Sequence, residues 1–226
     1  MQARNTTRPP ARHELTPWDR LGRSLFRARG LTPIALVLIV FLWPTGAGLG
    51  LARLLVSIAL IVAGEGVRLG AVGTAGKCTR TRGDNVAELV TSGPFARVRN
   101  PLYIGNFLLS YGLVVLSRVD WLLWAFPIVF FFQYAAIVSW EERVLSARFG
   151  RDYEEYRRAV PRWIPRTGRR AGPEPPPFRS DVAWRSERDT LRAIAIIVAV
   201  LLLKHLAFGA ALSRFVLAAA RGGGIQ

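Results

Sequence analysis

The sequence has very few of the residues that commonly bind metals or form cross-links. Its 226 residues include one cysteine, Cys78, and two histidines, His13 and His205. A single cysteine excludes an intramolecular disulfide framework, and it also excludes the multi-cysteine zinc and iron–sulfur sites. With so few sulfur and imidazole ligands, we predict no metal site built by the protein.

Acidic residues are also scarce, whereas basic and apolar residues are abundant. The chain has 31 Lys and Arg against 15 Asp and Glu, a net charge of +16, and 51% of its residues are hydrophobic. That apolar content excludes a disordered chain. Zinc-finger spacing, a basic helix and a ribonucleoprotein motif are all missing, so we predict no nucleic-acid partner. Basic loops beside membrane spans explain the charge, and they attract anionic lipid headgroups.

The apolar residues lie in blocks long enough to cross a membrane. A helix needs about 20 residues to span roughly 30 Å of hydrocarbon. The sequence predicts an all-α fold, a polytopic membrane helix bundle made of two helical hairpins and a fifth C-terminal span. The predicted spans are about 31–50, 52–70, 101–117 and 120–140, with the fifth in 188–220.

The distribution of arginine predicts how the bundle lies in the membrane. Long basic segments precede the first span, separate the second from the third and follow the fourth, whereas the hairpin connections carry only Arg53 and Arg118. Basic segments stay in the cytoplasm, so the N-terminus is predicted to be cytoplasmic. We expect a multi-pass protein of a prokaryotic inner or plasma membrane, without a secretory signal peptide.

The remaining segments are predicted from composition and periodicity. A basic N-terminal segment, 1–29, and a Pro/Arg-rich linker, 167–187, are expected to lack a buried face. The membrane core, 30–166, is expected to end in an amphipathic cytoplasmic helix over 141–160. Lys204 and His205 interrupt the last apolar block, and we favour an interfacial or broken span with a snorkelling Lys204 over a functional intramembrane charge.

A glycine-rich stretch in the second span has two interpretations. Gly64, Gly66 and Gly70 resemble a dinucleotide-binding fingerprint, but that fingerprint requires a strand before it and a helix after it. Because the stretch lies in an apolar helical block, Gly66 and Gly70 are predicted to let two helices approach closely. Glu65 and Arg68, three residues apart, are expected to pair on one helical face.

Two segments carry the candidate chemistry. Asn100 and Pro101 are typical of a helix start, with Asn at the cap and Pro at the first helical position. Free amides at such a start favour an anion, and Arg99 lies beside them. Glu141 and Glu142 follow the fourth span. Because the third and fourth spans form a hairpin, the anion site and both carboxylates are predicted to meet at one cytoplasmic pocket.

These residues belong to a longer ordered pattern. It comprises Leu89-Val-Thr-Ser-Gly-Pro-Phe95, Arg99-Asn-Pro-Leu-Tyr-Ile-Gly105, Glu141-Glu142, Phe149-Gly150, Tyr153, Tyr156 and Val160-Pro161. The combination resembles the isoprenylcysteine carboxyl methyltransferase and phospholipid methyltransferase superfamily of integral membrane enzymes. The resemblance covers about residues 50–166.

The resemblance implies an activity, a cofactor and a class of partner. It implies transfer of a methyl group from S-adenosylmethionine at the cytoplasmic face of the membrane. The implied partners are membrane lipids and a lipid or prenylated small-molecule acceptor, which offers either a carboxylate or an amine. It also implies a helical cofactor site between the start of the third span and the helix after the glutamate pair.

The resemblance and the chemistry of the side chains together give expected roles to individual residues. Phe95 is expected to contact the adenosine, Tyr103 is the candidate that steadies the sulfonium, and Arg99 suits the cofactor's carboxylate. If the acceptor is an amine, Glu142 is the nearest candidate base. The implied cofactor-binding residues are Ala87, Glu88, Leu89, Val90, Phe95, Asn100, Pro101, Leu102, Tyr103 and Glu141.

Two positions depart from the prenylcysteine enzymes. Asn100 stands where those enzymes have histidine, and Ile137 stands where they carry an arginine for the substrate carboxylate. These departures weigh against a prenylcysteine carboxylate as the acceptor. Two alternative functions are a nicotinamide-dependent, sterol-type reductase on a related fold and a non-catalytic membrane scaffold. Cofactor binding distinguishes all three.

Overall fold

The computed structural model describes residues 16–43, 45, 49–76, 88–167 and 177–222, with side chains as far as residue 207. Within these ranges the regular elements are helical, which confirms the predicted fold class. They are α1 (Pro17–Ala28), α2 (Leu31–Leu42), α3 (Leu51–Ala75), a short 3₁₀ helix (Gly93–Ala96), α4 (Pro101–Ser117), α5 (Leu122–Phe149), α6 (Arg151–Ala159) and α7 (Ser180–Gly222).

Several of these helices are long and apolar enough to cross a membrane. Helices α3 and α5 and the Ser180–Ala207 part of α7 meet both criteria. Helices α1 and α2 meet them only as a pair, which is bent by 63° at its break, and α4 is apolar but shorter. The described part of the chain therefore has three to four candidate spans and forms a polytopic helical bundle.

Helices α3 and α4 form the most extensive contact among the described helices. A Cβ atom added to Gly64 would lie 2.6 Å from the Leu109 amide nitrogen, and one added to Gly112 would lie 2.9 Å from the Ser57 carbonyl oxygen. The prediction that Gly66 and Gly70 mediate this approach is therefore wrong: other glycines do so, and a Cβ atom added to Gly70 would meet only the Pro94 side chain, at 3.5 Å. Nothing lies within 4 Å of such an atom on Gly66. Gly64 and Gly66 are two residues apart, about 200° round a helix of 3.6 residues per turn, so a nearly opposite face of α3 makes the contact.

The prediction that residues 31–50 form a single helix is wrong. Helix α2 ends at Leu42, and Trp43 is extended, with φ −73° and ψ 129°. The physical reason is Pro44, which disfavours helical backbone in the residue before it. At its other end α2 follows α1 after a sharp bend near Gly30, so this part of the bundle is a broken pair.

The N-terminal segment is structured from Thr16 onward, which corrects the prediction that it lacks a buried face. Thr16 and Asp19 form a reciprocal capping box at the start of α1. Asp19 is fully buried and pairs with Arg143 of α5 at 2.8 Å. A Cβ atom on Gly22 would lie 2.2 Å from the Ala136 carbonyl oxygen, so glycine lets α1 dock closely on α5. Residues 1–15 lie outside the described ranges.

The predicted amphipathic helix over 141–160 is two helices. Helix α5 continues through the glutamate pair to Phe149, and Gly150, with φ +51°, redirects the chain into α6. A positive φ of this kind is readily adopted only by glycine. The apolar face of α6, built on Tyr153 and Tyr156, packs against residues such as Leu89. This face is therefore buried by the protein, and not by the membrane surface.

The last helix, α7, begins at Ser180 and not at residue 188, so the end of the predicted linker is helical; residues 168–176 lie outside the described ranges. It runs unbroken through Lys204 and His205, which corrects the expectation of a broken span. Lys204 Nζ donates to the carbonyl oxygens of Val40 (2.9 Å) and Trp43 (2.7 Å). The unpaired carbonyls at a helix end attract a cation, so Lys204 caps α2.

Candidate active site

The predicted site forms where the start of α4 meets the part of α5 that carries Glu141 and Glu142. The Tyr103 hydroxyl lies 2.9 Å from each carboxylate oxygen of Glu141 and donates to this carboxylate. Both side chains are buried. The Tyr134 ring, about two helical turns before Glu141 on α5, packs against the Tyr103 ring with centroids 4.5 Å apart. The hairpin thus brings together two residues that are 38 positions apart.

Glu142 faces a different set of partners from its neighbour. Arg99 Nη1 lies 3.4 Å from one Glu142 oxygen, and Arg162 donates to both, through Nε at 3.1 Å and through Nη2. Successive helical residues point about 100° apart, as 3.6 residues per turn require, so the two carboxylates diverge. Arg162 was not among the predicted site residues. It lies beyond the motif, and no spacing rule connects it to Glu142.

A backbone closure holds the loop before α4. The Arg99 amide donates to the Pro161 carbonyl oxygen at 2.9 Å, and the Arg166 amide donates to the Arg97 carbonyl oxygen at 3.1 Å. Asn100 occupies the predicted N-cap position but makes no side-chain capping bond. Its Nδ2 donates instead to the Arg162 carbonyl oxygen at 3.2 Å. Asn100 therefore ties the loop to the segment after α6.

The aromatic residues of the motif lie beside this closure. The Tyr156 hydroxyl donates to the Phe95 carbonyl oxygen at 2.9 Å, which anchors the 3₁₀ helix on α6. Tyr153 is fully buried, and burial, followed by the nearby Glu142 carboxylate, raises the pKa of its hydroxyl. Phe95 itself packs with Val90 and Leu102 against the end of α3. These three predicted cofactor residues therefore form one apolar surface.

The other predicted cofactor-binding residues differ in their burial and in the elements on which they lie. Pro101 is buried at the first position of α4. Leu89 packs with the tyrosines of α6, and Glu88 is exposed. Ala87 lies outside the described residues. The structure thus brings together Tyr103, Glu141, Arg99, Asn100 and Glu142, with the Phe95 surface as a separate cluster.

A family comparison covers this site. Residues 52–152 match the family model described as phospholipid methyltransferase. The matched range extends from the start of α3 to the start of α6, and so it contains Tyr103 and both glutamates. Relatives of the chain include protein-S-isoprenylcysteine O-methyltransferases. Residues 52–152, the superfamily segment, therefore match the isoprenylcysteine and phospholipid methyltransferase superfamily. The superfamily segment contains no part of α1, α2 or α7.

Individual relatives match about half of the chain or less. The chain is 32% identical over 112 residues to the nickel-cobalt-cadmium resistance protein NccN of Alcaligenes xylosoxydans xylosoxydans, covering 49% of this chain and 52% of that protein. It is 32% identical over 112 residues to protein-S-isoprenylcysteine O-methyltransferase B of Arabidopsis thaliana, covering 48% and 57%. It is 39% identical over 79 residues to protein-S-isoprenylcysteine O-methyltransferase of Schizosaccharomyces pombe, covering 34% and 33%.

These matches are partial on both sides. The chain spans about half the length of the curated relatives named first. No solved structure gives a significant match.

Within the superfamily segment, Arg99 has the property that a cofactor carboxylate requires. Its Nε and Nη1 atoms are buried and have no hydrogen-bond partner among the described residues. Unsatisfied buried donors are costly, and a charged acceptor satisfies them with short, strong hydrogen bonds. The superfamily generally uses S-adenosylmethionine, which carries a carboxylate. The residues at this site therefore fit that cofactor.

A polar cavity adjoins the site on the side of Tyr134. Its volume is about 290 Å³, and it lies between the α1–α2 bend and helices α3, α4, α5 and α7. The polar residues in its wall are Arg29, Thr32, Arg68, Asn106, Ser110, Tyr134 and Thr190. No local sequence pattern predicts this cavity, because residues from several elements that are distant in the chain form it.

Proposed function

We propose that the protein is an S-adenosylmethionine-dependent membrane methyltransferase, which transfers a methyl group to a lipid or lipid-like acceptor at the cytoplasmic face. The observation that carries this proposal is the buried Tyr103–Glu141 hydrogen bond beside Arg99, whose guanidinium has unsatisfied donors. All three residues lie in the superfamily segment. The cytoplasmic position is supported by the basic segments on that side of the predicted spans.

The cofactor would be held by groups of complementary charge and polarity. Arg99 and the amides at the start of α4 suit its carboxylate. Glu141 suits the ribose hydroxyls or the ammonium group. The apolar surface of Phe95, Val90 and Leu102 suits the adenine ring, with Asn100 and Pro101 shaping the entry. When bound, S-adenosylmethionine supplies an electrophilic methyl group on a positively charged sulfur.

The chain's main contribution to the reaction is alignment in a site that excludes water. In the displacement the acceptor atom would bond to the methyl carbon as the carbon–sulfur bond breaks, and neutral S-adenosylhomocysteine would leave. The positive charge would be neutralised by a carboxylate acceptor or transferred to an amine acceptor. Alignment accounts for much of the rate in such reactions. The Tyr103 hydroxyl is fixed by Glu141 and its ring by Tyr134. Tyr103 is therefore a candidate to orient the sulfonium without a mobile water.

The two glutamates suit different tasks. Glu142 is ion-paired with Arg99 and Arg162, and a proton on it would compete with both guanidinium groups. We therefore propose that Glu142 chiefly positions Arg99, which revises its predicted role as the base. A carboxylate acceptor needs no base. For an amine acceptor, Glu141 is the better candidate, because Tyr103 and Tyr134 link it to the polar cavity.

The polar cavity is our candidate site for the acceptor's head group. It is lined by two arginines and by neutral hydrogen-bonding side chains, and it shares Tyr134 with the Tyr103 contact. A lipid head group requires such polar partners, whereas its chains require the apolar outer faces of the helices. The bend between α1 and α2 supplies a break in the helical wall at this level.

The deciding experiment is calorimetric titration of the detergent-purified full chain with S-adenosylhomocysteine, with NADPH as the control ligand. We expect micromolar binding of the first and none of the second. Binding of NADPH alone would instead indicate a reductase. Binding of neither by folded protein would leave the scaffold. Transfer of labelled methyl from S-adenosylmethionine to phosphatidylethanolamine or to N-acetyl-S-farnesylcysteine in micelles would then distinguish amine from carboxylate acceptors.

A further inference from the structure

Helix α7 lies outside the superfamily segment but is firmly joined to it. The Arg179 amide donates to the Gly73 carbonyl oxygen at 3.0 Å. The Phe178 ring covers Gly73 so closely that a Cβ atom there would lie 2.1 Å from it. Further along, Ile194 packs with Leu109 in a buried cluster. These contacts fix the position of α7 against α3 and α4.

The most polar of these contacts is centred on Arg68 of α3. Glu187 of α7 is buried and accepts from Arg68 Nε at 3.1 Å and from Nη2. Arg68 Nη1 donates to the Asn106 Oδ1 atom of α4, and Glu65 lies 3.5 Å from Nε. A guanidinium has five N–H donors in a fixed fork, and these hydrogen bonds use three of them. The orientation of Arg68 is therefore set largely by Glu187.

This oriented guanidinium lies in the wall of the polar cavity. Arg68, Asn106 and Tyr134 line it, and Thr190 of α7 closes another side. Thr190 is three residues after Glu187, so both lie on the same face of α7. The cavity is thus bounded by Tyr134, next to the candidate active site, and also by a helix that the superfamily segment lacks.

We propose that α7 forms one wall of the acceptor site and that Glu187 is a positioning residue, which orients Arg68 toward an anionic oxygen of the acceptor head group. The role of the cavity in this proposal rests on the proposed methyltransferase function. Both kinds of acceptor offer a phosphate or carboxylate oxygen. The N–H groups of Arg68 that donate to neither Glu187 nor Asn106 can bind such an oxygen. Acceptor selection in this chain therefore depends on a helix outside the family segment.

A kinetic test separates positioning from simple structural support. We compare Glu187→Gln with Asp189→Asn, a matched change at an exposed position of the same helix. We expect Glu187→Gln to raise KM for the acceptor at least tenfold, with kcat and S-adenosylhomocysteine affinity within threefold of wild type. Asp189→Asn should leave all three unchanged. An unchanged KM in Glu187→Gln, or an equal loss of acceptor and cofactor binding, would overturn the positioning role.

A labelling test does not depend on turnover. Because Cys78 is the one cysteine, a Cys78→Ser background lets single cysteines be placed at will. We place one at Thr190, in the cavity wall, and one at Asp189 as the exposed control. Phosphatidylethanolamine or N-acetyl-S-farnesylcysteine in micelles should slow maleimide labelling at position 190 at least tenfold, and labelling at position 189 less than twofold. Adding Glu187→Gln should remove the protection.

The outcomes separate this proposal from the proposed function. If wild type binds S-adenosylhomocysteine and neither amphiphile protects position 190, the role of α7 is overturned and the methyltransferase proposal stands. If protection occurs without S-adenosylhomocysteine binding, α7 forms part of a lipid site, and the methyltransferase proposal fails. Equal protection at positions 189 and 190 would indicate micelle coating and would also overturn the assignment.

Discussion

Two buried polar clusters in this protein contain the same residue types but differ in which side chain lacks hydrogen-bond partners. In the cluster at the start of α4, the arginine has unsatisfied donors, since Arg99 Nε and Nη1 are buried and have no hydrogen-bond partner among the described residues, although Nη1 is ion-paired with Glu142. In the cluster between α3 and α7, the arginine is well bonded, and the unsatisfied atoms are the two carboxylate oxygens of Glu65. The first cluster is therefore suited to an anionic ligand, whereas the second is organised around holding Arg68.

The two clusters also differ in how they are built. The first joins residues of one motif through a helical hairpin and a loop closure. The second joins α3 and α4 to α7, with Arg68 and Glu187 separated by 119 residues. A buried ion pair contributes little net stability compared with apolar packing, so the presence of the second is better explained by orientation than by stability. This difference agrees with our proposals that the superfamily segment supplies the cofactor site and that α7 forms one wall of the acceptor site.

The largest effect should come from forcing α3 away from α4, which carry parts of both clusters. Gly64→Ala places a methyl group 2.6 Å from the Leu109 backbone, so we expect a loss of about 2–3 kcal/mol in the free energy of unfolding. Gly66→Ala is the matched control, since nothing lies near it. The control should be stabilised by roughly 0.5–1 kcal/mol because alanine favours the helix. Thermal melting in detergent measures both. Equal melting temperatures would contradict the close packing.

The next largest effect should come from the first cluster alone. Glu141→Gln removes the carboxylate that accepts from Tyr103, and we expect cofactor affinity to fall by about 1–3 kcal/mol with little change in melting temperature. Glu155→Gln, at an exposed glutamate that pairs with Arg151, is the control. Calorimetry with S-adenosylhomocysteine measures the affinity. Wild-type affinity in Glu141→Gln would remove Glu141 from the site.

A smaller effect is expected from the residue that the motif does not contain. Arg162→Ala removes one of the two guanidinium partners of Glu142, and Arg99 would then be its main ion-pair partner. Because Arg162 is partly exposed, we expect cofactor affinity to fall by only about 1 kcal/mol. Arg158→Ala, on the exposed side of α6, should have no effect. A tenfold or greater loss in Arg162→Ala would mean that Arg162 contacts the ligand directly.

The smallest effect concerns pH. Burial, and after it the Glu142 carboxylate, raises the pKa of Tyr153 above its ordinary value of 10.0. The neutral phenol is therefore favoured in the folded state, and its contribution is complete below pH 10 and is lost as pH rises through the folded pKa. Tyr153→Phe should flatten the fall of stability above pH 10 and change it little at pH 7. Melting curves at pH 7 and pH 10.5 test this, with Tyr111→Phe as the control. Parallel curves for Tyr153→Phe and wild type would contradict it.

The site was more predictable than the fold around it. Asn100 and Pro101 by themselves predict the start of a helix. The predicted hairpin also correctly places this start next to the glutamate pair. The same reasoning misplaced the contacts of Asn100, which depend on the Arg162 carbonyl and not on the helix that follows. It also missed Arg162 and the polar cavity, because their partners are distant in the sequence and no periodicity relates them.

Charged residues in apolar blocks show the limit of local reasoning most clearly. Lys204 interrupts a hydrophobic run, and composition alone favours a broken or interfacial helix. In the structure it bonds the carbonyls of Val40 and Trp43 at the end of α2. Asp19, in a basic segment with little apolar content, is buried against Arg143. In both cases the decisive partner belongs to another helix.

The amino-acid sequence by itself determined the helical membrane architecture, the position of α4 and the order of the methyltransferase motif, because apolar block length, Pro and Gly act through neighbouring residues. Only the tertiary structure decided that Glu141 bonds Tyr103 while Glu142 pairs with two arginines, that α1 docks on α5, and that α7 lines a cavity. Those features depend on which helix faces meet in space, and packing between distant segments decides that.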